Sequence, residues 1–336
     1  MRALTVMEPG TVNLTERPEP EPVAGEVLVR PDLVGICGTD LDIVAGDIDP
    51  QFVRYPVTLG HEWTGLVVSA APDSPPAGTR VVVEGIVPCG HCAQCVAGNT
   101  NRCLIYDEFG FTRDGAASDL ISVPSRLVHP VAPSVAAESA VLVEPASVVL
   151  RALLRSRPRP GQRVLVVGDG TIGLLAARLV RLWSPSTVTM LGLRPGQGDL
   201  AAAAGVDHFR SDPLGVHERF DLVVDGAGSA ASVATALAAA ERGGTVVLLG
   251  YVGQEAAVPM PVDDLINGDV TIVASFGYTS SVWRKVVDLL NAGTLDLGFL
   301  VTHRFALQDW ASALDTVRAS DAPRAKVTLL PRPATQ

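Results

Sequence analysis

Residues 163–173 read RVLVVGDGTIG. Four successive apolar residues, 164–167, have the length and character of a strand buried on both faces. The run ends in Gly168-Asp169-Gly170-Thr171-Ile172-Gly173, and residues at helical spacing follow to position 183. Strand, G-x-G-x-x-G and helix in that order form the context a dinucleotide-binding turn requires. Gly168 permits the tight turn, Gly170 lets the backbone approach a pyrophosphate, and Gly173 lets helix and strand pack closely. Thr171 and Ile172 belong to the same turn, where the helix N-terminus offers N–H groups to phosphate. A glycine-rich βα turn without a ligand is the alternative.

Downstream, short apolar runs at 188–191, 222–224, 246–249 and 270–274 alternate with alanine-rich helical segments at 199–204 and 230–242. This alternation predicts a parallel sheet with right-handed crossovers. Gly250, just after the fourth run, is counted with the cofactor-binding residues. Residues 282–292 and 307–318 have amphipathic helical spacing, and 326–330 reads as a closing strand. The second strand ends Leu191-Gly192-Leu193-Arg194-Pro195. An NAD site usually carries an acid about 20 residues beyond the fingerprint, but here the first acid is Asp199. Gly192 leaves room for a 2′-phosphate and Arg194 offers a charged fork. The pattern favours NADP(H), with NAD(H) possible; Arg194 on the surface, or stacked on adenine, is the other reading.

Residues 1–150 are different: valine-rich runs at 26–34, 64–69 and 79–84 between Pro/Gly turns predict a β-rich barrel or sandwich with few helices. The 336 residues carry 26 basic and 36 acidic side chains, for a net charge of −10, with 47% hydrophobic residues. That composition excludes a disordered chain, and the acidic balance speaks against a nucleic-acid surface. Two domains are expected at this length. Lysine occurs only at 285 and 326, a skew that reads as base composition rather than function. The first ten residues lack the apolar core of a signal peptide. Residues 131–154, the most apolar stretch, are broken by Glu138, Glu144 and Pro145, so no membrane span and a cytoplasmic location are expected.

In a reducing cytoplasm the five cysteines point to metal rather than disulfides. Cys89-x2-Cys92-x2-Cys95-x7-Cys103 can surround one tetrahedral zinc in a closed, structural shell. An iron–sulfur cluster is a further option, although the spacing matches neither common ferredoxin pattern. His91 lies in the loop but is not needed. A second set is scattered: Cys37 in GICGTD, His61 and Glu62 in LGHEWTG, Glu144 in VEPA. Singly, each has an ordinary structural explanation.

In order, these motifs resemble the zinc-dependent medium-chain alcohol dehydrogenase superfamily, in its polyol, sugar, threonine and aminocyclitol branch. The resemblance implies an α/β chain: a GroES-like catalytic domain of residues 1–150, with a four-Cys lobe at 88–104, completed by 291–336. A Rossmann domain of residues 151–290 lies between those segments in the sequence. It also implies two zinc ions. Cys37 and His61 match ligands of the catalytic zinc, and Glu62 matches an acid that ligates or exchanges. Glu144 matches the acid that holds the zinc or its water in polyol and sugar dehydrogenases, where ethanol-type enzymes have Cys. Thr39 matches the hydroxyl that takes the alcohol proton. Asp42 stands where many members have a His that completes the relay. Gly192-x-Arg194-Pro195 resembles the motif of NADP-dependent secondary alcohol dehydrogenases, and residues 110–115 (GFTRDG) resemble threonine, polyol and aminocyclitol enzymes. Loops 42–55, 106–113 and 276–280 are expected to line the pocket.

The implied activity is hydride transfer between a nicotinamide cofactor and a secondary alcohol or ketone. An NAD-dependent threonine or small-alcohol dehydrogenase is the alternative within enzymes. A catalytically inactive zinc- and nucleotide-binding sensor is the alternative outside them. A homo-oligomer, dimer or tetramer, is expected, with 270–274 as an edge for sheet extension.

Overall fold

The run that opens the dinucleotide motif becomes the strand Arg163–Val167, third in a six-stranded sheet. The order is His208–Arg210, Thr187–Leu191, Arg163–Val167, Phe220–Asp225, Ala240–Leu248, Thr271–Ala274. Every pairing is parallel. Numbered by sequence this is 3-2-1-4-5-6, the doubly wound order, with its switch point beside the fingerprint strand. Leu165, Val223 and Val246 are fully buried in its core. The computed structural model describes all residues except 71–73, 213–217, 254–255, 320 and 333–336.

Three features differ from the sequence reading. His208–Arg210 is an additional strand; three partly exposed residues at an edge give no apolar run to detect. The helix expected over 230–242 ends at Ala238, and residues 240–242 open the next strand, because Gly243 and Gly244 follow immediately. A 14-residue helix, Val143–Ser156, occupies a region expected to hold few helices. Pro145 does not break it, since a proline in the first turn lacks only an N–H that would have no intrahelical partner.

The chain divides into two compact units, Met1–Glu144 with Tyr278–Ala319 and Lys326–Gln336, and Pro145–Gly277 with Ser320–Ala325. The helix Ser280–Asn291 falls in the first unit, whereas the expected boundary assigned most of it to the nucleotide domain. Its contacts explain this: Tyr278 Oη accepts the Gly85 amide at 2.8 Å, and Ser280 Oγ donates to Glu84 at 2.5 Å.

The first unit is built on a seven-stranded sheet. The strand Glu26–Ile36 pairs antiparallel with Glu62–Ser69 on one side and Lys326–Leu330 on the other. Gly35 therefore faces Glu62 and Thr328 together. A three-stranded sheet of Thr11–Glu16, Arg2–Glu8 and Val57–Thr58 accompanies it.

In the second unit Gly168 has φ +108°, a conformation few other residues adopt. A Cβ on Gly173 would collide with the Gly168 carbonyl oxygen. Gly173→Ala is expected to destabilise this unit by about 1–3 kcal/mol. Urea unfolding monitored alongside NADP(H) binding checks this; a variant with wild-type stability and affinity would show that the turn yields without cost.

Candidate active site and metal centres

Cys37 ends the central strand and opens the helix Gly38–Ala45, while His61 and Glu62 begin the neighbouring strand. The pairing brings Cys37, His61 and Glu62 together, with one ligand atom of each within 4.8 Å of the others. His61 and Glu62 are buried, at 5% and 1% exposure. Asp40 ties the set from below: one carboxylate oxygen accepts the Cys37 amide at 2.8 Å and the other lies 3.4 Å from His61 Nδ1. Among the described residues, neither Asp40 Oδ1 nor His61 Nδ1 has a hydrogen-bond partner within normal geometry. With Nδ1 turned to a carboxylate, Nε2 is the nitrogen left for a metal.

The electrostatics call for a cation. Burial disfavours a charged imidazole, yet Asp40 and Cys37 outweigh it and hold the His61 pKa well above its ordinary value. Glu144 lies outside the 4.8 Å group but is coupled to it. Burial, then the Glu62 charge, push its carboxyl up to about 8, against the opposing pull of His61. A divalent ion supplies the positive charge that a proton on His61 provides without it, and metal ligands bind in their deprotonated forms. The donor set of thiol, imidazole and carboxylate suits zinc.

Thr39 Oγ1 lies 3.6 Å from Cys37 Sγ. Asp42 is exposed. Its carboxyl is raised by partial burial and by Asp47 and Asp40.

Sequence reasoning missed Lys326. Its ammonium is buried against the Glu62 carboxylate, with the Ile36 carbonyl at 3.3 Å. Burial works against that charge, but Glu62 and then Cys37 keep its pKa raised. Gly35 makes the pair possible: a Cβ there would stand 2.5 Å from Glu62 Oε2 and 3.2 Å from Lys326 Cδ. The scarcity of lysine reads as base composition, but Lys326 itself has a structural partner in Glu62. Two further buried acids were missed, Glu84 and Glu108.

Cys89, Cys92, Cys95 and Cys103 form the second group, again with ligand atoms within 4.8 Å. Backbone amides already point at the sulfurs: Cys89 N donates to Cys103 Sγ at 3.3 Å and Cys92 N to Cys89 Sγ at 3.4 Å. The amides of Leu104 and Cys95 pull the Cys92 thiol down to about 6. Four converging sulfurs with thiolate-stabilising amides fit a closed zinc shell.

In the second unit Gly170 caps the helix Thr171–Val180, and a Cβ there would meet nothing within 4 Å, leaving an open cradle for phosphate. Ile172 packs against Gly226, and Gly250 against Gly228. The ribose region departs from the expectation. The space left by Gly192 is filled by Asp169, whose Oδ2 would lie 2.6 Å from a Cβ at 192. The Asp169 carboxylate also binds the Arg194 guanidinium and accepts the Arg194 amide at 2.9 Å. Arg194 is therefore held in place by an acid inside the fingerprint.

Residues 23–133 match the Alcohol dehydrogenase GroES-like domain, and residues 171–292 match the Zinc-binding dehydrogenase family. The chain is 32% identical to L-threonine 3-dehydrogenase of Streptomyces avermitilis, over 91% of this chain and 92% of the relative. It is 29% identical to sorbitol dehydrogenase of Bacillus subtilis, over 94% and 93%. The chain belongs to the zinc-dependent medium-chain alcohol dehydrogenase superfamily. A zinc-binding dehydrogenase of Sinorhizobium meliloti bound to NADP superposes with TM-score 0.89 at 28% identity, covering 98% of this chain and 99% of that one. An alcohol dehydrogenase of Escherichia coli CFT073 complexed with NADH gives 0.90 at 26%, with the same coverage. The alcohol dehydrogenase reading makes the chain an NAD(P)-dependent oxidoreductase that uses zinc. Among the described residues no helix is long and apolar enough to cross a membrane.

Lys326→Ala leaves Glu62 buried without a counter-charge. The expected loss is about 3–5 kcal/mol of stability, measured by urea unfolding. Pairing it with Glu62→Gln is expected to restore part of that loss, because the uncompensated charge is gone. A loss below about 1 kcal/mol in the single variant would contradict the assigned role of the pair.

Proposed function

We propose that this dehydrogenase oxidises a secondary alcohol group of a polyol, sugar or cyclitol, or reduces the matching ketone. The observation that carries the reading is Glu144: the position where ethanol-type enzymes have a cysteine holds an acid whose charge interacts with Glu62 and His61 of the metal set. Cys37, His61 and one of the acids Glu62 and Glu144 would hold a catalytic zinc, with Cys89, Cys92, Cys95 and Cys103 around a structural one. Zinc so held supplies a Lewis acid to the substrate oxygen. Thr39 takes the alcohol proton, and the nicotinamide supplies the hydride acceptor. Lys326 holds Glu62 on its own side, which favours Glu144 as the acid that answers the metal.

NADP(H) is the preferred cofactor in this reading. The Arg194 guanidinium, held at the ribose end of the second strand by Asp169, suits a 2′-phosphate. A homo-oligomer forms through the edge strand Thr271–Ala274, whose neighbouring helix Val262–Gly268 exposes Val262 and Ile266. Five free cysteines suit a cytoplasmic location.

Cys37→Ala, His61→Ala and Glu144→Ala are each expected to lower kcat roughly hundredfold or more, with NADP(H) affinity near wild type, because metal and nucleotide are held by different units. Turnover on a polyol panel and nucleotide fluorescence titration check the two parts; near-normal turnover in all three variants would overturn the catalytic assignment. For the cofactor, wild-type kcat/KM is expected to favour NADP, and Arg194→Ala to shrink that ratio roughly tenfold or more. Equal values for the two cofactors in the wild type would contradict the preference.

A further inference from the structure

Gln197 ends the short turn Pro195–Gln197 that follows Arg194, and its side chain is fully buried. The carboxamide joins two distant segments of the second unit. Nε2 donates to the Asp169 carbonyl at 2.7 Å and to the Arg324 carbonyl at 2.6 Å, and Oε1 accepts the Arg324 amide at 3.0 Å. These partners stand 28 and 127 positions away in the chain. Two N–H donors and an acceptor on one planar group are a combination that only Asn and Gln side chains offer, and Asn is a methylene shorter.

One end of this clasp lies inside the fingerprint turn. Asp169, 4% exposed, is gripped twice: Gln197 holds its carbonyl, and the Arg194 amide and guanidinium hold its carboxylate. The Gly168 amide before it donates to the Leu191 carbonyl at 2.8 Å. A peptide unit is planar, so holding the Asp169 carbonyl sets the plane of the bond to Gly170. Gly170 caps the helix Thr171–Val180, and its carbonyl accepts the Leu174 amide at 2.9 Å. A glycine in that place has wide freedom of its own. The outside hold on its peptide therefore helps decide how the first amides of the helix face a phosphate. At the other end, Gln197 pairs with both backbone groups of Arg324, and a Cβ on Gly196 would lie 2.9 Å from Pro323 Cγ. These contacts account for the place of Ser320–Ala325 in the second unit.

We infer that Gln197 is a positioning residue for the nicotinamide cofactor: through the Asp169 carbonyl it sets the fingerprint peptide so that the helix N-terminus meets the pyrophosphate. The pyrophosphate is common to NAD and NADP, so Gln197 serves both alike, whereas Arg194 concerns the 2′-phosphate alone. The inference rests on the dinucleotide fingerprint and not on which cofactor is preferred.

The test is fluorescence titration of zinc-loaded wild type and Gln197→Met with NADH and NADPH, at a temperature where circular dichroism shows the variant folded. Met keeps the length of the side chain and removes all three hydrogen bonds. Both affinities are expected to fall roughly five- to twentyfold, by factors that agree within about threefold. Unchanged affinities in a variant that unfolds at lower urea would make Gln197 a structural clasp only and overturn the inference. A loss for NADPH alone would overturn it as well, since Gln197 would then act through Arg194. A second measurement uses the wild type and decides the matter if the Met variant does not fold. Hydrogen exchange with and without saturating ADP is expected to show slower exchange in residues 168–173 and 321–325 together, because a nucleotide that favours the closed clasp also protects the Arg324 amide. Protection confined to 168–173 would contradict the inference.

Discussion

The Lys326 ammonium and the Glu62 carboxylate meet in the interior of the first unit, across a position where only glycine fits. Much of the candidate site depends on that constraint. Lys326 opens the strand that the chain's last segment lays against Glu26–Ile36, and Glu62 opens the strand on the other side. A buried unpaired charge of either sign would cost several kcal/mol, so the three strands have little freedom to slip. With their register fixed, Cys37 follows at the end of one strand and His61 at the start of the next. The metal set is in this sense a by-product of strand pairing.

That arrangement leaves more negative than positive charge. Lys326 answers Glu62, but Asp40, Glu144, Glu108 and the Cys37 thiol remain around one imidazole. Asp40 and Cys37 raise the His61 pKa against its burial, whereas for Glu144 burial comes first and the Glu62 charge second; both groups bind protons that a metal ion would displace. The four-Cys lobe solves the simpler problem, since its backbone amides and its sulfurs converge on one another. The two groups share ligand chemistry but not surroundings: one is set in a loop, the other among buried acids beside a hydroxyl.

Sequence reading reached the features that are local in the chain. The parallel sheet, the fingerprint turn, the four-Cys spacing and the separate motifs around Cys37, His61 and Glu144 are all visible as short patterns. What stayed hidden depends on pairings across long separations. Lys326 reaches Glu62 over 264 positions, and nothing in the sequence KVTLL marks its first residue as buried. Asp169 occupies a variable position of the dinucleotide motif, and only its contact with Arg194 and the gap at Gly192 reveal its part. Ser280–Asn291 reads as an ordinary amphipathic helix, and its attachment to Glu84 through Ser280 decides which unit it joins. Glu108 lies in a segment, 106–113, that was expected near the pocket, but the direction of its side chain could not be read from residue order.

The central claim is that the Cys37, His61 and acid set holds a zinc ion chemically distinct from that of the four-Cys lobe. X-ray absorption at the zinc edge, on protein purified without chelator, tests it directly. The expected spectrum averages an all-sulfur shell near ~2.3 Å with a mixed shell containing nitrogen and oxygen near ~2.0–2.1 Å, roughly 2.5 sulfurs per zinc if both are four-coordinate. A spectrum of four sulfurs alone, with no nitrogen or oxygen shell, would contradict the account.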